Sequence, residues 1–364
     1  MYLQWTPGQP PPISSRVHVV LWIWIFAYIG VAVRIGLGEL TTTLERTQAR
    51  PSILTDLGRS FFLANVVGCF FMGMCQPLKV KYTQFDAVWT GITTGFCGCC
   101  TTFASWELFT AHQYLTHLAV NATFVFFVQL MCCFGSHWGG EFIGSKICEE
   151  QRQSPAVLAS QLRATALARS LQTDAKWQVV VEALDTLLEP HEEGEVDFVA
   201  TPSKLVWLMP RLSLAAFACG TALVTIAVII HLPTWSALWI APFGALARYE
   251  LGKRLNSSTL PFGTLAANVV ASAVDCVVLL WLREPEWAQA AIVHGFCGSL
   301  STVSSWVNEL NGMATKQAVV YAGLTHGIAL GVSLAIFGKA VPRGSIHRAS
   351  SALGGLEQAM PLSV

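Results

Sequence analysis

Apolar residues in this chain fall into long blocks, and the polar residues that interrupt them recur at matching places. A helix needs about 20 residues to cross the hydrocarbon core of a bilayer. Blocks of suitable length lie near 17–38, 57–76, 86–110, 114–136, 205–231, 234–254, 261–283, 288–312 and 317–338, which predicts nine spans. Gly, Thr and Ser interrupt the middles of 86–110 and 288–312. The first block is too long for a secretory leader core and is followed by further spans, so it reads as a retained membrane helix.

The polar stretches divide the chain further. Residues 1–16 are Pro-rich and are expected to be disordered, as is the tail 340–364. Residues 17–147 hold a first set of four spans, 205–232 a single linking span and 233–339 a second set of four. The linker 148–204 is polar and predicts two short amphipathic helices near 156–170 and 177–188, outside the membrane.

Composition strengthens the membrane reading. Of 364 residues, 53% are hydrophobic and only 12% charged, about half the charged share of a soluble domain. A formal net charge of zero gives no basic face for nucleic acid. Most of the 11 cysteines lie within apolar blocks. Cys97, Cys99 and Cys100 are close enough together to suggest a soft-metal site, but no histidine lies at ligand spacing, and cysteine in such helices commonly packs as a small apolar residue.

The two sets of four spans repeat each other. GVAVR at 30–34 matches GALAR at 244–248, and Asn65 and Asn268 each sit in the sequence ANVV. GFCG at 95–98, followed by Thr102, Ser105 and Trp106, returns as GFCG at 295–298, followed by Thr302, Ser305 and Trp306. The offsets drift only from 214 to 203 to 200, as an internal duplication would produce. An odd linking span between four-span sets turns the second set over. The expected fold is therefore an all-α membrane protein of two inverted four-helix repeats, with a site at their interface. Lys79, Lys81, Lys146, Arg152, Lys253, Arg254 and Lys316 favour a cytoplasmic N-terminus and an outside C-terminus; Arg46, Arg50, Arg283, Lys339, Arg343 and Arg348 oppose it.

Polar side chains at membrane depth need a partner or a task. Asn65 and Asn268 could bond between helices or offer their amide N–H groups to an anion. Gly95, Gly98, Thr101 and Thr102, with Gly295, Gly298, Ser301 and Thr302, predict broken helices whose freed carbonyls suit a hard cation; close helix packing is the alternative. Arg34 and Arg248 read as helix-end residues that snorkel or cap, with a place at an anion vestibule as the alternative. Phe103 has a positive ring edge that suits an anion, or is simply core. Asn121, Thr123, Tyr321, Thr325 and Ser333 sketch a polar track, and His117 and His326 read as satisfied helix-facing groups.

Together these residues resemble the CrcB-like fluoride channels, and the tandem arrangement resembles the eukaryotic fluoride export proteins. The resemblance rests on GVAVR at 30–34, LANVVG at 63–68 and GFCGCCTTFASW at 95–106, and on GALARY at 244–249, GTLAANVV at 263–270 and GFCGSLSTVSSW at 295–306. It implies a passive fluoride channel of the plasma membrane, functional as a monomer. It places Asn65, Asn268, Thr101, Thr102, Ser105, Phe103, Tyr321 and Thr325 in the pore. It also implies a central sodium ion on the backbone carbonyls of Gly95, Gly98, Gly295 and Gly298. The family's pore phenylalanines fall on positions 100, 103, 300 and 303, of which only Phe103 is retained here; the others are Cys100, Leu300 and Val303. One working pore beside a degenerate one is the expectation. The rivals are a coupled small-ion transporter, for which Glu39, Glu107, Asp275 and Glu309 are the embedded carboxylates, and a non-conducting duplicated scaffold. No nucleotide-binding loop or nucleophilic triad suggests an enzyme.

Overall fold

The computed structural model describes residues 15–47, 57–58, 61–116, 119–150, 204–229, 236–257, 259–281 and 285–340. The expected disordered start and tail, the two linker helices and His117 lie outside them. Among the described residues there is no strand, only an isolated bridge between Asn256 and Pro261. The long helices are α1 Ser15–Thr47, α2 Phe62–Lys81, α6 Ala119–Glu150, α7 Lys204–Ile229, α8 Ser236–Leu255, α9 Phe262–Trp281 and α13 Thr315–Ala340. Among the described residues, five stretches are long and apolar enough to cross a membrane: Arg16–Leu44, Phe62–Lys81, Ala119–Glu149, Phe262–Trp281 and Thr315–Phe337. This is a multi-pass, all-α membrane protein.

The two Gly-rich blocks are broken helices. The first runs as α3 Asp86–Thr90, a π-helical turn Gly91–Cys97 and α4 Gly98–Cys100, then breaks and resumes as α5 Phe103–Thr116. The second runs as α10 Glu286–Ala290, a π-helical turn Ala291–Cys297 and α11 Gly298–Leu300, then breaks before α12 Ser304–Asn311. Of the residues expected to unwind, both glycine pairs remain helical. The interruption falls on the hydroxyl residues of the same stretch, where Thr101 (φ −93°, ψ 151°) and Ser301 (φ −79°, ψ 159°) are extended. Their hydroxyls can satisfy backbone groups that the broken ladder frees, which glycine cannot do.

Small residues set how closely the helices approach. A Cβ on Gly30 would lie 2.5 Å from the carbonyl oxygen of Phe96, and one on Gly244 would overlap that of Phe296. The repeated glycines therefore let α1 and α8 rest directly on the two π-helical turns. The seam between α2 and α6 is closer still, since a Cβ on Gly140 would overlap the carbonyl of Phe70 and one on Gly73 that of His137. Without a hydrophobic force between helices in lipid, such backbone approach is what holds a pair together. Gly140→Leu should destabilise the protein by about 1–3 kcal/mol through overpacking, read as a lower unfolding temperature in detergent.

Helix α7 packs on α1 and α8, with Trp24 edge-on to Phe217 at 5.6 Å between centroids and Tyr28 hydroxyl 3.5 Å from Thr221 Oγ1. The two broken segments cross over. Helix α5 packs against α9 and α13, while α12 packs against α2 and α6. Each half therefore lends its short helix to the other.

Candidate functional site

The crossing of the two breaks is fully buried and polar. Thr101, Thr102, Ser301, Thr302 and Ser304 are each at most 2% exposed. Thr101 Oγ1 lies 3.2 Å from Thr302 Oγ1 and 3.1 Å from Ser304 Oγ, and Thr102 Oγ1 lies 3.3 Å from Ser301 Oγ. The hydroxyls also cap helices reciprocally. Thr101 Oγ1 accepts from the N–H groups of Val303 and Ser304, both at 3.2 Å, at the start of α12. Ser301 Oγ accepts from the N–H groups of Phe103 and Ala104, at 3.2 and 3.1 Å, at the start of α5. Two helix N-termini thus meet at the crossing, each with the partial positive charge of its dipole directed there.

Both asparagines support the breaks. Asn65 Oδ1 accepts from Thr102 N–H at 2.8 Å, and its amide donates to Thr102 O at 3.3 Å. Asn268 holds Thr302 the same way, at 2.8 and 3.2 Å. The amide NH₂ carries two donor hydrogens, so each Asn keeps one beyond this bond.

Arg34 and Arg248 are not helix-end residues. Both are 5% exposed and lie within helices. Arg34 Nη1 donates to Cys99 O at 2.7 Å and to Gly298 O at 2.5 Å, and Nη2 donates to His294 O. Arg248 Nη1 donates to Gly98 O and Ser301 O, both at 2.9 Å, and Nη2 to Thr94 O at 2.6 Å. Each guanidinium therefore fastens the broken segments of both halves. A Cβ on Gly98 would overlap the Arg248 guanidinium, and one on Gly298 that of Arg34, which explains both glycines.

This bears on the sodium expected from the resemblance. The carbonyls of Gly95 and Gly295 accept helical N–H groups, those of Gly98 and Gly298 accept from guanidiniums, and two fixed cations at one set of oxygens repel a third. The predicted donor set does not fit sodium in this arrangement.

Beyond the break, Phe103 and Ser105 head α5. Phe103 is fully buried, with its ring edge-to-face with Trp306 at 5.1 Å and with Trp106 at 6.3 Å. Ser105 Oγ accepts from the Thr102 hydroxyl at 3.2 Å. Position 100 does not join this aromatic group; Cys100 Sγ faces Ala64 O at 3.5 Å, and Leu300 packs with Ala104, Ala267 and Ala271. Trp106 and Trp306 take that place, a role that their residue type alone does not announce. Their spacing of three from Phe103 and Val303, which puts each pair on one helix face, is the indication the chain carries.

The residues of the expected polar track are buried on one side only. Tyr321, Thr325 and Ser333 are fully buried along α13, with Thr325 donating to Tyr321 O at 2.9 Å, whereas Asn121 is exposed and Thr123 pairs with the Tyr114 hydroxyl at 2.6 Å. Tyr321 donates to Glu309 at 2.8 Å, and Glu309 also accepts from Thr264 at 2.6 Å. His326 Nδ1 lies 2.6 Å from Glu107, so it is satisfied as expected. Asp275 is buried beside Cys297, as far inside as Glu107.

Two helix N-termini, converging hydroxyl and guanidinium donors and an aromatic group beside them define a membrane protein organised around a buried, donor-rich crossing. Residues 21–141 and 235–339, more than half of the chain, match the family described as "CrcB-like protein, Camphor Resistance (CrcB)". The chain belongs to that family. It is 23% identical over 364 residues to Fluoride export protein 2 of Saccharomyces cerevisiae, covering 87% of this chain and 91% of that one. It is 26% identical to Fluoride export protein 1 of Candida albicans, covering 89% and 78%. Over 102 residues it is 37% identical to the Fluoride-specific ion channel FluC of Bordetella pertussis, covering 27% of this chain and 80% of that protein. No solved structure matches the chain.

Proposed function

We propose that this protein is a passive fluoride channel that exports fluoride across the plasma membrane as a monomer, through nine spans in two inverted repeats. The observation that carries this is the meeting of two capped helix N-termini and two buried guanidiniums at one crossing, with the carbonyls there turned to the arginines. A desolvated anion needs such a positive, donor-rich centre, and the names of the relatives point to fluoride. The central positive charge that the resemblance assigns to sodium is carried, in this proposal, by Arg34 and Arg248.

One pathway works. It runs beside α5, α9 and α13, where Phe103, Ser105, Asn268, Tyr321 and Thr325 line one region, with Thr101 and Thr102 at its centre. The opposite side, with Asn65 and Val303, lacks the buried hydroxyls of α13 and is the degenerate one. Fluoride is small and strongly hydrated, so nearby amide and hydroxyl donors must replace its water. With the N-terminus inside, an inside-negative potential drives fluoride outward at about 2.3 kcal/mol per charge per 100 mV.

Complementation tests the proposal. The intact protein should restore growth of a fluoride-sensitive strain, and Phe103→Ile or Asn268→Asp should not. Reconstituted in liposomes, it should release fluoride at a rate independent of the proton gradient. An intact protein that reaches the membrane without restoring growth would refute the channel. A rate that follows the proton gradient would favour the coupled transporter, for which the buried Asp275 and Glu107 are the candidates.

A further inference from the structure

Trp106 and Trp306 occupy corresponding places in the repeated segments, one helical turn after each break. Both side chains are fully buried, and neither indole N–H has an acceptor. Their rings lie 6.2 Å apart at 76°, with Phe103 at 5.1 Å from Trp306 and Phe126 at 5.1 Å from Trp106. A buried donor without a partner costs stability, and native interiors avoid it. Phenylalanine would fill most of the same space without that cost, at the expense of a small cavity. Two such exceptions at corresponding positions are therefore hard to attribute to packing.

An indole N–H is a donor only, so its missing partner is an acceptor. Around it lie aromatic and aliphatic groups, Phe103, Phe126, Val303 and Val307, which supply none. We propose that the indole N–H groups of Trp106 and Trp306 are anion donors that replace water around fluoride as it passes the aromatic group, and that they set selectivity for a small, strongly accepting anion over chloride. The proposal rests on the channel reading above. Trp306 contributes more, because its ring faces Phe103 on the working pathway. Phe103 presents only C–H groups, so the indole is the strong donor at this depth.

The test compares full-length wild type, Trp306→Phe, Trp106→Phe and the double variant in liposomes loaded with fluoride or chloride. Trp306→Phe should lower fluoride release about tenfold, the loss of one hydrogen bond to a charged group. Its unfolding temperature in detergent should change little, since relief of the unpaired donor offsets the small cavity left behind. Sodium fluoride, but not sodium chloride, should change the tryptophan fluorescence of the wild type, and the change should shrink in Trp306→Phe. Wild-type release in the variant overturns the proposal, as does a loss of release accompanied by a lower unfolding temperature. If the wild type itself releases no fluoride, the channel reading has failed. In that case the fluorescence response still decides whether these indoles bind the anion.

Discussion

Arg34→Ala is expected to lower the stability of the folded protein by about 3–5 kcal/mol, at the upper end of what a single substitution costs. The guanidinium serves the carbonyls of Cys99, Gly298 and His294, which belong to segments of both halves and are buried. Alanine removes this donor from all three, at about 1–3 kcal/mol for each carbonyl left unpaired, and relief from removing a buried cation offsets only part of that. Arg34→Lys should recover part of the loss, because one flexible ammonium cannot reproduce a planar fork with five donors. Arg248→Ala should behave alike, since Gly98, Ser301 and Thr94 lose the same service. Unfolding of the detergent-solubilised variants measures this, and an unchanged midpoint for Arg34→Ala would refute the fastening role.

Thr101→Val should cost about 2 kcal/mol, and the double variant with Ser301→Ala about twice that if the two caps act independently. Valine keeps the shape of threonine and removes the hydroxyl. The N–H groups of Val303 and Ser304 then lose their cap, and the hydroxyls of Thr302 and Ser304 lose a neighbour. Ser301→Thr is the control. It retains the oxygen that caps Phe103 and Ala104, so it should change stability little. Equal unfolding temperatures for Thr101→Val and wild type would show that the reciprocal caps do not hold the crossing.

Much of the architecture is legible in the sequence. Continuous apolar blocks of about 20 residues become helices in lipid, because a helix satisfies every backbone group within its own segment. The duplicated motifs mark where polar groups gather. Asn65, Asn268 and the Thr101–Thr102 pair stand out by their repetition and by their depth in apolar runs. The break falls within the expected stretch, but which of its residues unwind is less legible. Glycine is the ordinary indicator of irregular backbone, yet Gly95 and Gly98 stay helical and serve close approach, while the hydroxyl residues take the extended conformation. The arginines mislead for a related reason. A charged residue in an apolar segment reads as an end residue when nothing local can satisfy it, and their partners lie in another part of the chain.

By itself, then, the sequence determined the helical class, the membrane setting, the family and the places where polar residues would collect. These follow from local composition, from periodicity and from repeated order, all of which act along the chain. Only the tertiary structure decided that each half caps and fastens the other. It also decided that α5 lies against α9 and α13, and that two indole N–H groups are left without acceptors. Those depend on contacts between residues 200 or more positions apart, as between Thr101 and Thr302 or Arg34 and Gly298. No local pattern encodes which carbonyl a buried guanidinium will reach, because that is set by how closely the repeated glycines allow the helices to approach.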